Sequence, residues 1–298
     1  MKLVVTGNEG QVVLSLMERA ALHPSIELVA LGRPQLNLVQ PETVFAAITD
    51  AKPDLVISAA AYTAVDQAED EAELASSINA AGAAAVAEAA ASVNAPIIHL
   101  STDYVFSGEG TKPYTEEDVT GPKSVYGQTK RDGELAVIQA NQRHLILRTA
   151  WVYSPFGKNF VKTMLRLAET RDQLSVVADQ WGNPTSALDI ADAILHIAGR
   201  LQTDSSFDDF GIYHLVGTGS TNWSGFAEQI FRDSQAHNGP FADVKPILTA
   251  DYPTKAKRPL NSRLSTDRFF DTFGWRAPEW QKSLEPVVNR ILADNSRG

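Results

Sequence analysis

The sequence contains no cysteine, which removes disulfide frameworks, zinc–thiolate sites and cysteine nucleophiles together. A chain without thiols suits a reducing compartment, so a cytoplasmic location is expected. Long apolar runs are missing as well. The opening MKLVVTGNEG is too short for a signal-peptide core, and the richest apolar stretch, 80–91, is mostly alanine and interrupted by Glu88. No membrane span is expected. Positive charge is in deficit, with 26 Lys and Arg against 36 Asp and Glu and a formal net charge of −10. That balance lacks the electrostatic footprint of a protein that grips nucleic acid or an anionic membrane, so neither is expected as a partner. A phosphate-bearing ligand must instead be held locally, by a helix N-terminus or a few placed cations.

Against these absences stand 298 residues of which 44% are hydrophobic, enough for one large α/β domain or two smaller ones. The first half alternates β-branched runs at 2–6, 27–31, 54–58, 97–101 and 145–149 with helical stretches at 11–21, 41–50, 67–92 and 125–139. Leu3-Val4-Val5 and Leu55-Val56-Ile57 are continuously apolar, as strands buried on both faces of a parallel sheet must be. The expected fold is α/β: a Rossmann-type doubly wound parallel sheet, with its ligand crevice beyond the C-terminal strand ends. A smaller mixed α/β C-terminal substrate domain should accompany it. Beyond Trp151 the pattern loosens into helices at 160–170, 188–201, 223–235 and 284–293, with strands at 174–178, 211–216 and 244–248. The domain boundaries read as 1–150 plus about 187–217 for the dinucleotide part, and about 151–186 plus 218–298 for the substrate part.

The first strand runs into Gly7-Asn8-Glu9-Gly10-Gln11-Val12-Val13 at the start of a helix. Glycine permits the positive φ of such a turn, and a second glycine lets backbone approach a pyrophosphate at the helix N-terminus. Val13 stands where a third small residue is usual. The second strand ends at Leu31-Gly32-Arg33. A basic residue there suits a ribose 2′-phosphate, which leans toward NADPH over NADH.

Tyr126 and Lys130 lie four apart, on one face of a helix. A phenol beside an ammonium has its pKa lowered toward the working range and can exchange a proton with a carbonyl or alcohol oxygen. Thr102, at the end of the fourth strand, precedes Tyr126 by 24 positions and can hold the same oxygen. The glycine loop, the strand-end hydroxyl and the Tyr/Lys helix occur in the chain order that a carbonyl reductase site requires. Plainer roles are expected elsewhere: packing for His99, His144 and His196, packing of the smaller domain for Trp275 and Trp280, and a solvated loop for Asp208-Asp209.

With these residues in place the chain resembles the extended short-chain dehydrogenase/reductases, and among them the dTDP-4-dehydrorhamnose reductase family. The resemblance runs nearly end to end, through GNEGQV, AAAYTAVDQAE, STDYVFSG, VYGQTK, LRTAWVYSPFGKNF, VVADQWGNPT and KRPLNSRL. It implies reduction of the C4 keto group of dTDP-4-dehydro-L-rhamnose to dTDP-L-rhamnose by NADPH or NADH. Tyr126, Lys130 and Thr102 would be the catalytic set. Gly7, Gly10, Gln11, Val12, Arg33, Asn37, Leu38, Ala61, Tyr62 and Thr63 would border the cofactor together with Tyr126 and Lys130. Thr102, Asp103, Tyr126, Trp151, Asn159, Gln180, Arg258 and Asn261 would face a nucleotide-sugar substrate, with Arg258 able to pair with its diphosphate. Asn37 and Ser58 depart from the common Asp and Asn of that family. Ser15 and Leu188 stand where some members bridge a dimer through magnesium, so no metal is expected, and the chain should act as a monomer or homodimer. Two other readings fit the same motifs: a reductase of another 4-keto-6-deoxy nucleotide sugar, and a non-catalytic regulatory subunit of the same fold.

Overall fold

A computed structural model describes residues 1–295. The first half builds strands β1 (Lys2–Thr6), β2 (Glu27–Leu31), β3 (Leu55–Ser58), β4 (Ile97–Thr102) and β5 (His144–Thr149). Helices α1 (Gln11–Ala20), α2 (Pro41–Ala51), α3 (Val65–Ala68), α4 (Ala72–Ser76), α5 (Ala83–Ser92) and α6 (Val125–Ala140) lie between them. The second half holds the paired short strands β6 (Val152–Tyr153) and β9 (Thr185–Ser186), and likewise β8 (Trp181–Gly182) and β11 (Thr221–Asn222). Longer strands β7 (Gln173–Val177) and β12 (Asp243–Ile247) pair in parallel with each other, and β10 (Gly211–His214) joins the main sheet. Its helices are α7 (Phe160–Ala168), α8 (Ala187–Thr203), α9 (Trp223–Ala236), α10 (Asp267–Phe273) and α11 (Trp280–Asn295).

The six-stranded sheet has the order β10-β5-β4-β3-β1-β2, and every pairing in it is parallel. Leaving β1, the chain moves outward to β2 and then returns to β3 on the other side. This reversal opens a crevice at the C-terminal ends of β1 and β3, the place where doubly wound sheets bind ligands. The apolar runs Leu3–Val5 and Leu55–Ile57 are fully buried because helices cover both faces. α1, α8 and α10 pack on one face, through Leu16, Ile190, Ile194 and Phe269. Helices α2, α5 and α6 pack on the other, through Ile48, Val86 and Val137. A third cluster lies apart from the sheet and joins Val161, Leu165, Val176, Phe226, Ile230, Trp280 and Leu284.

Two expectations are corrected here. The helix foreseen over 67–92 is broken: α3 ends at Ala68, the chain turns, and a helix resumes at Ala72 with a π-helical turn at Ser77–Gly82 inside it. The break turns Glu69 toward the start of α6, where its carboxylate accepts the Val125 N–H at 2.9 Å. Trp275 packs under the main sheet, edge-on to Phe269 at 6.0 Å, instead of in the smaller cluster. It follows the turn at Gly274 that ends α10, and α10 itself belongs to the sheet.

Candidate active site

Residues from both halves close a cavity of about 520 Å³ over the crevice. Its floor is the β1–α1 turn. Gly7 has φ +101°, a conformation that disfavours any side chain, with Val13 and Ala60 beside it. Val13, at the position of the missing third glycine, is buried. Thr6 ties the two strand ends together, its hydroxyl accepting from the Ala59 and Ala60 N–H groups at 3.0 Å each. Gly10 is the N-cap of α1 and offers no side-chain cap, and the first turn carries no acid. The leading N–H groups of α1 therefore border the cavity lined by Glu9, Gly10, Gln11, Val12 and Val13 without a side-chain cap of their own. Such a cradle fits a dinucleotide pyrophosphate.

Helix α6 brings Tyr126 and Lys130 to the same cavity. Ser124 caps it, accepting the Gly127 N–H at 3.1 Å. Two glycines let it seat deeply: a Cβ on Gly127 would collide with the Tyr104 carbonyl, and one on Gly133 with that of Asn79. Below it, the buried Glu134 carboxylate takes two bonds of 2.8 Å from Arg148 on β5 and one of 2.6 Å from Ser101 on β4. That pair pins α6 to the sheet at the level of Thr102.

Thr102 donates to Asp103 Oδ1 at 3.0 Å and also lies against the Tyr126 phenol. Asp103 is buried with the Thr102 and Ser262 hydroxyls beside its carboxylate, and burial outweighs them and pushes its pKa up to about 6. Lys130 is pushed down to about 8 by burial, with Glu134 opposing. Tyr126 behaves opposite to the sequence expectation. Burial raises its pKa and outweighs the Thr102 hydrogen bond, while the Lys130 ammonium is turned to the Leu100 carbonyl at 2.6 Å. A phenol held protonated is the form that donates a proton.

A second cavity of about 840 Å³ opens beside the first and shares Gln180, Trp223 and Arg258 with it. Its other walls include Phe160, Leu167, Arg171, Val176 and Tyr252. Trp151 stands at the boundary with φ +49°, stacked on Trp223 with ring centroids 3.6 Å apart. Gly182 leaves room for the indole, since any Cβ there would strike it. Arg258 donates to Asp66 at 2.6 Å and to the Tyr104 hydroxyl at 3.2 Å.

Among the sequence-predicted residues, Gly10, Gln11, Val12, Ala61, Thr63, Thr102, Asp103, Tyr126, Lys130, Trp151, Gln180 and Arg258 line the first cavity. Asn159 does not; it caps α7 and donates to Gln11 and to the Ser154 carbonyl at 3.0 and 2.8 Å. Asn261 orders a loop instead, donating to the Lys112 carbonyl at 2.7 Å and accepting from Arg263 at 2.8 Å. Asn37 folds onto its own turn through Gln40 and Val39. Leu38 packs on Gly82, and the Tyr62 hydroxyl is turned to Glu71 at 2.8 Å. Arg33 is exposed at the end of β2, with no ion-pair partner among the described residues.

Several contributors were not foreseen. Asn79, the lone amide among the alanines of its helix, is buried in the π turn. It accepts the Tyr62 N–H at 2.8 Å and donates to the Tyr62 carbonyl and Thr129 hydroxyl at 3.1 Å, so it sets the loop that carries Ala61 and Thr63. Tyr104 packs edge-on to Tyr126 at 5.5 Å; its place in STDYVFSG was the available signal. His99, expected only to pack, reaches Lys130 at 3.3 Å. His144 and His196 bond backbone carbonyls, and Trp280 is buried in the smaller cluster as expected.

The family model described as RmlD substrate binding domain matches residues 1–293. A dTDP-4-dehydrorhamnose reductase of Sinorhizobium fredii is 51% identical over 294 residues, with 99% of each chain covered. The solved dTDP-4-dehydrorhamnose reductase of Clostridium acetobutylicum superposes with a TM-score of 0.91 at 37% identity, covering 98% of this chain and 100% of that one. The Bacillus anthracis dTDP-4-dehydrorhamnose reductase, solved in complex with NADP, has a TM-score of 0.87 at 35% identity, with 96% and 98% covered. No helix among the described residues is long and apolar enough to cross a membrane, and no group of three or more His, Asp or Glu there could hold a metal ion.

Proposed function

The chain belongs to the RmlD substrate-binding-domain family, and from that premise we propose that it reduces the C4 keto group of dTDP-4-dehydro-L-rhamnose to give dTDP-L-rhamnose. The observation that carries the reading is the joint placement of Thr102, Tyr126 and Lys130 in the cavity that the uncapped N-terminus of α1 also borders. A bound NADPH or NADH supplies the hydride. Gly10, Gln11 and Val12 hold its pyrophosphate, and Lys130 its nicotinamide ribose. Arg33, exposed beyond β2, is free to meet a 2′-phosphate. Thr102, turning its one O–H from Asp103 to the substrate oxygen, holds that oxygen beside the Tyr126 phenol, and Tyr126 gives it a proton as negative charge develops. General-acid help of this kind contributes roughly 10²–10⁴-fold.

The nucleotide end of the substrate takes the second cavity, whose lining comes wholly from within 151–186 and 218–298. This supports 151–186 and 218–258 as a substrate part, while α10 packs on the main sheet with the dinucleotide part, 1–150 plus about 187–217. Arg258, at the junction, meets the diphosphate, and the Trp151–Trp223 stack borders the sugar. The protein works in the cytoplasm as a monomer or homodimer, without a metal bridge at Ser15 and Leu188.

Product analysis tests the assignment. Incubation with dTDP-4-dehydro-L-rhamnose and NADPH should form dTDP-L-rhamnose in step with cofactor oxidation. Turnover confined to a different 4-keto-6-deoxy nucleotide sugar would replace the assignment with that one.

A further inference from the structure

We infer that His99 is a positioning residue for Lys130: its Nε2 accepts one N–H of the buried ammonium, while its Nδ1–H donates to Ser58. The inference rests on the reductase reading, in which Lys130 serves the cofactor side of the site. Lys130 has three ammonium donors. One goes to the Leu100 carbonyl at 2.6 Å and a second is directed at His99 Nε2, 3.3 Å away. With both taken beneath the cavity, the third is left for a ligand in the space that Lys130 lines. A lysine on a four-carbon stem is otherwise free to rotate its charge, so two fixed acceptors convert it into a directed donor.

For Nε2 to accept, the imidazole must be neutral and carry its proton on Nδ1. The Lys130 ammonium can only donate, so the Nε2 it faces must accept, which leaves the proton on Nδ1, 3.0 Å from the Ser58 hydroxyl that can accept it. The ring is buried, and burial together with the Lys130 charge holds its pKa well below the usual value. The surroundings offer no rival. In the sheet His99 lies between Ser58 of β3 and Ile146 of β5. From α6, Lys130, Glu134 and Tyr126 are the titratable groups near this point, and Glu134 is bound to Arg148 and Ser101. Helix α5 contributes apolar side chains, its one charge, Glu88, being exposed. His99 does not itself line the cavity, so it acts only through Lys130.

The test uses the full-length protein and begins without turnover. Nitrogen-detected NMR of the cofactor-free protein should show His99 as the neutral Nδ1–H tautomer; an Nε2–H tautomer or an imidazolium overturns the proposal. His99→Leu removes the acceptor, and His99→Gln places an amide oxygen within reach of the same point. In His99→Leu the Lys130 side-chain pKa should fall below that measured for the wild type, because a hydrogen bond to the charged form is lost. kcat should drop about tenfold, the scale of one hydrogen bond to a charged group, while KM for the nucleotide sugar holds. His99→Gln should restore both. If both variants keep the wild-type lysine pKa and kcat, His99 only packs. Should His99→Leu fail to fold, the wild-type tautomer and His99→Gln decide the matter. A wild-type protein that reduces no nucleotide sugar but shows the Nδ1–H tautomer refutes the reductase reading alone.

Discussion

Arg258, in the loop before α10, reaches Asp66 in α3, Nη2 to Oδ2 at 2.6 Å, and so joins the two halves of the chain across the mouth shared by both cavities. Asp66 also accepts the Ala256 N–H at 3.1 Å, and Asp70 pairs with Lys255. The guanidinium is therefore held in place before a diphosphate arrives. Arg258→Met should raise KM for the nucleotide sugar by about 10–100-fold, the loss expected for a positioned charge-assisted pair. NADPH affinity should stay the same, since the pyrophosphate of the cofactor lies at α1. Steady-state kinetics with each substrate varied in turn separate the two effects.

Asp103 links pH to stability. Its pKa rises from 3.8 in the unfolded chain to about 6 in the fold, with burial as the main cause. Between these values the folded state binds more protons, so its contribution is present below pH 4 and is lost as pH rises through 6. Asp103→Asn keeps an oxygen for Thr102 and removes the buried charge. The variant should therefore be more stable than wild type at pH 8, on the order of 3 kcal/mol, with the gap closing toward pH 4. Denaturant melts at the two pH values check the sign.

Lys130 makes cofactor binding depend on pH. Its pKa, lowered to about 8 by burial, means that the ammonium is present below that pH and lost above it. NADPH affinity, read by fluorescence titration, should be flat at neutral pH and weaken above 8. In Lys130→Met the alkaline weakening should disappear.

The parallel sheet was legible because its strands are short apolar runs that only double-sided burial explains, and the glycine loop and Tyr126/Lys130 pair announce themselves through spacing within single elements. What escaped depends on contacts between distant elements. The bond from His99 to Lys130 spans 31 positions and that from Asn79 to Thr129 spans 50, and no local pattern encodes either. The helix break at 69–71 also follows from tertiary contacts, because Glu69 and Glu71 bond to Val125 and Tyr62. The sign of the Tyr126 pKa failed for the same reason: spacing shows that Lys130 is a neighbour on the helix, but not that its ammonium is turned under the sheet edge.

Asn79 predicts a coupling between core and cofactor loop. Asn79→Ala leaves the Tyr62 N–H and carbonyl without their partner in a half-buried position. The cost should be about 2–3 kcal/mol of stability. NADPH affinity should fall with it as the loop bearing Ala61 and Thr63 loosens. Chemical denaturation and cofactor titration on the same sample report both quantities.

In the proposed reaction the Tyr126 phenol protonates the reduced sugar oxygen. Single-turnover oxidation of NADPH by dTDP-4-dehydro-L-rhamnose, comparing wild type with Tyr126→Phe, tests it most directly. The rate should be at least about 10²-fold lower in the variant, with NADPH affinity preserved. Undiminished turnover in Tyr126→Phe would contradict it.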